Sequence, residues 1–212
     1  MSKKLGKVEK PLVEKFKEKR KLYCVPLIFS DKDALKNYLE IFNRYWDEVA
    51  EHITNLEKAG KVKKIYHESI SIGGEDGLQA IKEINKRSYQ LVNSKYAQGI
   101  ELQALEDKDL FNEYMDWSMC RLVIGRSQKV VNKIQEFYQK ANEKRDEYVA
   151  KQIDNTLKKG EAGMLIMSDE YRMRIQSRLP SDIQIFLVNP PALNDIQQWL
   201  RNQLRKRISQ PE

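Results

Sequence analysis

Histidine and cysteine are both scarce in this chain, with two of each among 212 residues. His52 and His67 are too few for a multi-histidine metal site or for a set of catalytic histidines. Cys24 and Cys120 are isolated and form no CxxC pair, so we expect reduced thiols in a cytoplasmic protein. We therefore expect neither a metal nor a cofactor.

Long apolar runs are also missing. No stretch of about 18 apolar residues occurs. The basic N-terminus is also not followed by the apolar h-region of a secretory signal. We expect no membrane span and no secretory signal.

Glycine-rich phosphate loops are incomplete. Gly73 and Gly74 stand between an alternating strand-like segment and a helical one, which is a position where phosphates bind. The GxGxxG spacing and the Lys-Ser/Thr pair of a P-loop are absent, and Glu75 and Asp76 would already complement the helix dipole. A simple turn is the favoured interpretation, and a ligand loop is the alternative.

Positive charge is abundant and unevenly distributed. The net charge is +7, and residues 1–21 hold nine lysines and arginines against three glutamates, a difference of +6. This predicts a basic N-terminal arm over 1–21, followed by one α/β domain over 22–212. Such an arm is either a solvated tail or a polyanion contact.

Two aliphatic runs, 163–167 and 183–188, predict buried strands that lie side by side in one sheet. Residues 63–72 alternate like a third strand, and 22–29 is extended, with Pro26 arguing for an edge strand or a docked segment. The predicted fold is α/β: a small mixed sheet of about four strands covered by helices.

Helical periodicity covers most of the remainder. One helix is expected to run from the Gly73-Gly74 turn to about Gly99, and 100–105 is either a short strand or a helix. A long helix over about 126–159 predicts a protruding rod or antiparallel arm. This arm could pair with a second copy, so a homo-oligomer is one expectation.

Polar residues after the predicted strands are the candidate ligand-binding residues, because open α/β sheets bind ligands at the carboxyl ends of strands. These candidates are His67, Glu68, Gly73, Gly74, Ser168, Asp169 and Asn189. Helix capping is the competing explanation for Ser168 and Asn189. Four acids spaced by three and four residues (Glu106, Asp109, Glu113 and Asp116) are interpreted as a solvated helix face.

Arginines near the C-terminus suggest a phosphate-binding patch. The candidate nucleic-acid contacts are Arg172, Arg174, Arg178, Arg201 and Arg205. Trp199 falls in step with apolar neighbours and is expected in the core.

Residues 160–167 and 180–188 carry a resemblance. A glycine-acid-x-glycine-aliphatic strand followed by a proline-led strand resembles the C-terminal sheet of the archaeal and eukaryotic peptide-chain release-factor family and its bacterial relatives. The resemblance covers about 150–205 and implies an α/β sandwich with RNA- or ribosome-associated binding. The family's Gly-Gly-Gln motif is absent, since Glu75 follows Gly73-Gly74, so peptidyl-tRNA hydrolysis is not implied.

Three functions follow as expectations. The first is a binding module that contacts RNA or the ribosome. The second is an enzyme or sensor of a small anionic metabolite, and the third is a structural, oligomeric protein. The sequence does not decide whether catalysis occurs.

Overall fold

The computed structural model describes residues 19–30, 35–122 and 126–208. Its centre is a five-stranded parallel sheet in the order β3-β2-β4-β1-β5. The strands are β1 Arg20–Pro26, β2 Val62–His67, β3 Glu101–Gln103, β4 Ala162–Met167 and β5 Ile183–Leu187. The helices are α1 Lys36–Leu56, α2 Gly74–Ile84, α3 Lys86–Tyr96, α4 Lys108–Leu122, α5 Gln128–Thr156, α6 Asp169–Gln176 and α7 Pro191–Ile208. The α/β prediction is confirmed, with five strands where about four were expected. The expectation of a mixed sheet is wrong, because all four strand pairings are parallel.

Helices cover both faces of the sheet. On the first face, α1, α2, α3 and α7 pack their apolar stripes against side chains of β1, β2 and β4. On the second face, α5 and α6 pack against the alternate side chains of the same strands. Burial on both faces explains why β1 and β4 are buried along their whole length, and why β4 and the part of β1 from Leu22 onward are continuously apolar.

The expectation that β1 is an edge strand is wrong, because β1 lies between β4 and β5. Lys21 and Leu27 donate their N–H groups to β4, so the nitrogen of Pro26 points to the β5 side. Pairing with β5 already ends where Cys24 lies opposite Leu187. Pro26 therefore interrupts no ladder bond.

The expectation that segments 163–167 and 183–188 are neighbours is also wrong. Both are strands of the same sheet, but β1 separates β4 from β5. Aliphatic composition indicates burial on two faces and does not identify the neighbouring strand.

The helix expected from Gly74 to Gly99 is two helices. Asn85 breaks it with an extended backbone, φ −156° and ψ 106°. The Asn85 side chain accepts hydrogen bonds from the N–H groups of Arg87 and Ser88, and its amide donates to the carbonyl of Ile28 at 2.8 Å. This N-cap starts α3 and ties it to the chain that leaves β1.

Helices α4 and α5 form an antiparallel pair, which we call the helical arm. Trp117 and Phe137 stack with ring centroids 4.7 Å apart, and Lys144 lies 3.3 Å from Glu113. The predicted helix over 126–159 is observed as Gln128–Thr156.

Most of the predicted basic arm, residues 1–18, also lies outside the described residues. Its last two residues, Arg20 and Lys21, belong to β1 and are buried. Among the described helices, none has the length and apolar character that a membrane span requires.

Candidate functional site

At two places along the carboxyl edge of the sheet, neighbouring strands connect to helices on opposite faces. After β1 and β2 the chain turns to α1 and α2 on the first face, whereas after β4 it turns to α6 on the second face. Strand β4 lies between β1 and β2, so a crevice can open on either side of its carboxyl end. Such switch points are where open parallel sheets bind ligands.

Glu68 and Ser168, both predicted as ligand-binding residues, meet at one of these points. The N–H of Ser168 donates to Oε2 of Glu68 at 2.8 Å, which links the ends of β2 and β4. The hydroxyl of Ser168 is buried without a hydrogen-bond partner in the described structure. Asp169 is half exposed and pairs with Arg172 at 3.0 Å. The structure thus brings together Glu68 and Ser168, with Asp169 beside them.

Behind Glu68 lies a buried ionic group. The guanidinium of Arg145, on α5, donates to both oxygens of Glu106 at 3.0 and 2.5 Å, and lies 3.6 Å from Glu68. All three side chains are at most 8% exposed. We call Glu68, Glu106 and Arg145, together with the rings described next, the buried cluster.

Three aromatic rings surround the Arg145 guanidinium. Its central carbon lies 5.4, 4.8 and 4.7 Å from the ring centroids of Phe111, Tyr114 and Tyr171. The Nη1 atom has no hydrogen-bond partner among the described residues, so cation–π attraction acts where a hydrogen bond is missing. The buried cluster thus links the helical arm to the segments that follow the carboxyl ends of β2 and β3.

Burial and charge act in opposite directions within this cluster. Burial raises the pKa of the Glu68 carboxyl above its ordinary value, although the Ser168 N–H and the charge of Arg145 oppose the rise. Burial lowers the pKa of Arg145, but the hydrogen bonds and charge of Glu106 and the charge of Glu68 outweigh it, so the net shift is upward. Arg145 therefore remains a cation at neutral pH, and the Glu68 carboxyl protonates at a higher pH than an ordinary glutamate.

The sequence interpretation of Glu106 as part of a solvated face is wrong, since Glu106 is 2% exposed. The signal that could have found this site is Arg145, which interrupts an otherwise apolar stripe of α5 between Ala141 and Val149. A charge in an apolar stripe requires a buried partner. The partner, Glu106, lies at the end of β3 and is not identifiable from spacing.

His67 points away from this cluster. Its Nδ1 lies 2.7 Å from the carbonyl oxygen of Glu68 and its Nε2 lies 3.1 Å from the hydroxyl of Ser88, so both ring nitrogens are engaged. Burial lowers its pKa to about 4, although the backbone contact with Glu68 opposes the shift. His67 is therefore a neutral packing residue that orients Ser88 on the first face.

Gly73 and Gly74 have structural reasons to be glycine. A Cβ on Gly73 would lie 2.6 Å from the carbonyl oxygen of Leu102, and Gly74 has φ +65°. They form the turn that presses α2 against β3.

Asn189 is exposed and follows β5, beyond β1 from the other candidates. The start of α7 is already occupied, because the N–H of Ala192 donates to Glu48 at 2.8 Å. The structure therefore does not bring Asn189 to the other predicted ligand residues.

A pocket of about 520 Å³ lies beyond the carboxyl end of β1, between α1 and the junction of α2 and α3 on the first face. We call it the carboxyl pocket. It is lined by Phe29, Ser30, Phe42, Lys82, Glu83, Ile84, Asn85, Lys86 and Arg87. Three cations against one acid give it a positive wall, and the two phenylalanines give it an apolar one.

The five candidate arginines do not form one patch. Arg172, Arg174 and Arg178 lie on or just after α6 on the second face and pair with Asp169, Asp146 and Glu147 respectively. Arg201 and Arg205 are exposed on α7, which covers the first face. A single phosphate-binding surface built from both groups is not supported.

Within the described ranges, no cluster of three or more His, Cys, Asp or Glu side chains is arranged to hold a metal ion. Cys24 and Cys120 carry free thiols.

Fold and site together define a parallel α/β protein with a helical arm over its carboxyl edge. Comparisons with family models, with curated proteins and with solved structures find no match.

Proposed function

We propose that this protein binds a small anionic metabolite in the carboxyl pocket. The observation that carries the proposal is the convergence of Lys82, Lys86 and Arg87 around this pocket, which lies beyond the carboxyl end of β1. Its volume falls within the roughly 300–1,000 Å³ typical of small-molecule sites.

The cationic wall is well positioned. Arg87 donates to the carbonyl of Asn43 and to Gln90 at 2.8 and 2.9 Å, and it also pairs with Asp47. Its Nε is buried without a partner in the described structure, leaving one guanidinium N–H unused. Lys86 and Arg87 also stand in the first turn of α3, whose positive dipole end adds to the attraction for an anion.

The opposite wall favours a ligand with an apolar part. Phe29 is 51% exposed, and Ile84 is 37% exposed. Burying these side chains against a ligand would add a favourable hydrophobic contribution. A metabolite that carries a phosphate or carboxylate on a ring or short chain fits both walls.

The test is thermal unfolding in the presence of anionic compounds: inorganic phosphate, a nucleoside monophosphate, a sugar phosphate and a dicarboxylate. A bound compound at 100 times its dissociation constant stabilises by about 2.7 kcal/mol, which corresponds to about 5–11 °C for a chain of this size. Lys82→Gln with Lys86→Gln should abolish the shift. The matched control, Lys129→Gln with Lys133→Gln on the helical arm, makes the same charge change and should retain it.

Two outcomes would remove the proposal. One is the absence of a shift with every compound at millimolar concentration. The other is equal loss in the pocket variant and the control, which would indicate a general charge effect. A short single-stranded RNA that alone produces the pocket-dependent shift would favour the RNA function expected from the sequence.

A further inference from the structure

The amino edge of the sheet, opposite the carboxyl pocket, carries a row of exposed lysines. We call it the lysine edge. Its members precede or begin β1, β2 and β4, or lie near the end of α5: Lys19, Lys61, Lys63, Lys151, Lys158 and Lys159.

Acids also lie at this edge: three pair with cations outside the row, and Glu161 accepts a hydrogen bond from the backbone N–H of Lys158 at 2.9 Å. Asp154 and Asp182 lie 2.7 and 2.8 Å from Arg20, which is itself 9% exposed. Glu101 lies 2.6 Å from Lys64. The six exposed lysines outnumber the acids named here.

The lysines follow the edge across neighbouring strands. Strands β2, β4 and β1 are consecutive, and strands in a sheet are about 4.8 Å apart, so the row extends about 10 Å across them. A β-bulge between Val62 and Lys64 leaves Lys63 outside the ladder and exposed. A depression of about 440 Å³ lies beside Lys19, Lys158 and Lys159.

Helix-dipole complementation explains only part of this row. Lys158 and Lys159 follow the C-terminus of α5, where cations are favoured. Lys19 and Lys63 belong to strand starts and have no such role.

We propose that the lysine edge binds the phosphate backbone of single-stranded RNA, independently of base sequence. A linear row of lysines matches a linear row of phosphates, and lysine ammonium groups bind phosphate as point charges. An acidic protein surface or an anionic membrane would present its charge as a patch, and the row favours the linear polyanion. This site is separate from the carboxyl pocket and does not depend on it.

The experiment is fluorescence anisotropy with a labelled 12-nucleotide oligouridine between 25 and 200 mM salt. For single strands, the logarithm of the binding constant falls with slope about −0.7 per phosphate neutralised. The triple variant Lys61→Gln, Lys63→Gln, Lys158→Gln should bind at least tenfold more weakly at 50 mM salt, with a slope shallower by about 2. The control triple Lys129→Gln, Lys133→Gln, Lys140→Gln should stay within twofold of the parent, and thermal melts verify that both variants fold.

Absence of binding at 25 mM salt would overturn the inference. So would an equal loss in both triple variants, because net charge would then account for the affinity. Phosphatidylserine vesicles form a second arm: loss of vesicle binding in the lysine-edge variant with unchanged RNA binding would assign the surface to a membrane. None of these results changes the outcome expected for the carboxyl pocket.

Discussion

Replacing Arg145 by methionine removes the cation of the buried cluster while largely keeping the length of the side chain. Glu106 would lose two hydrogen bonds and Glu68 its nearby charge, and both carboxyls would remain buried. Removing one partner of a buried ion pair costs about 3–5 kcal/mol, because the remaining charge is uncompensated. We expect Arg145→Met to lower the free energy of unfolding by that amount at pH 7.

This loss is large relative to the stability of a typical domain, which is about 5–15 kcal/mol. It corresponds to a fall in Tm of about 6–20 °C for a chain of this length. The assay is urea unfolding followed by circular dichroism, with Lys144→Met as the matched control. Lys144 is adjacent on α5 and forms an exposed pair with Glu113, so its replacement should cost less than about 1 kcal/mol.

The pH dependence separates this explanation from simple loss of packing. Without Arg145, the folded-state pKa of the buried Glu68 carboxyl, which burial already raises, rises further above the unfolded value. A raised acid pKa favours the folded state at low pH, and this advantage is lost as the pH rises through the folded-state pKa. The penalty of Arg145→Met should therefore shrink between pH 7 and pH 5.

Two results would refute the reasoning. A destabilisation no greater than that of Lys144→Met at pH 7 would show that the cluster contributes little. A destabilisation that is the same at pH 7 and pH 5 would show that lost packing, rather than buried charge, is responsible.

Three further predictions concern other buried positions. A Cβ on Gly163 would lie 2.9 Å from the ring of Tyr66, so Gly163→Ala should destabilise by about 1–3 kcal/mol in urea; an unchanged midpoint would contradict this close contact. Burial raises the pKa of Cys24 to about 12, so iodoacetamide should modify Cys120 in the native protein and Cys24 only after unfolding, as read by mass spectrometry; early modification of Cys24 would be inconsistent with its burial. The pKa of His67 falls from 6.5 to about 4, so unfolded chains take up a proton first as the pH falls; between pH 7 and pH 4 the parent should lose about 3 kcal/mol more stability than His67→Gln, and parallel pH profiles would disprove the shift.

The candidate site was only partly accessible from the sequence. Glu68 and Ser168 were identifiable because polar residues directly after buried strands lie at the carboxyl edge. The cations of the carboxyl pocket, Lys82, Lys86 and Arg87, were not identifiable from the sequence. They belong to a helical segment whose break at Asn85 depends on a hydrogen bond to the carbonyl of Ile28. That contact joins residues 57 positions apart, and helical periodicity contains no information about it.

Local pattern by itself determined most of the secondary structure, although not the break at Asn85, and it determined which faces of the strands and helices are buried. The aliphatic run of β4 predicted a strand covered on both faces, and the stripes of α1 and α5 predicted helices with one apolar side, because side-chain periodicity reports which faces are buried. Only the tertiary structure decided the partners: that β1 separates β4 from β5, and that Arg145 meets Glu106 across 39 positions. Burial constrains a residue through its own environment, whereas strand order and ion pairing depend on distant segments that the fold brings together.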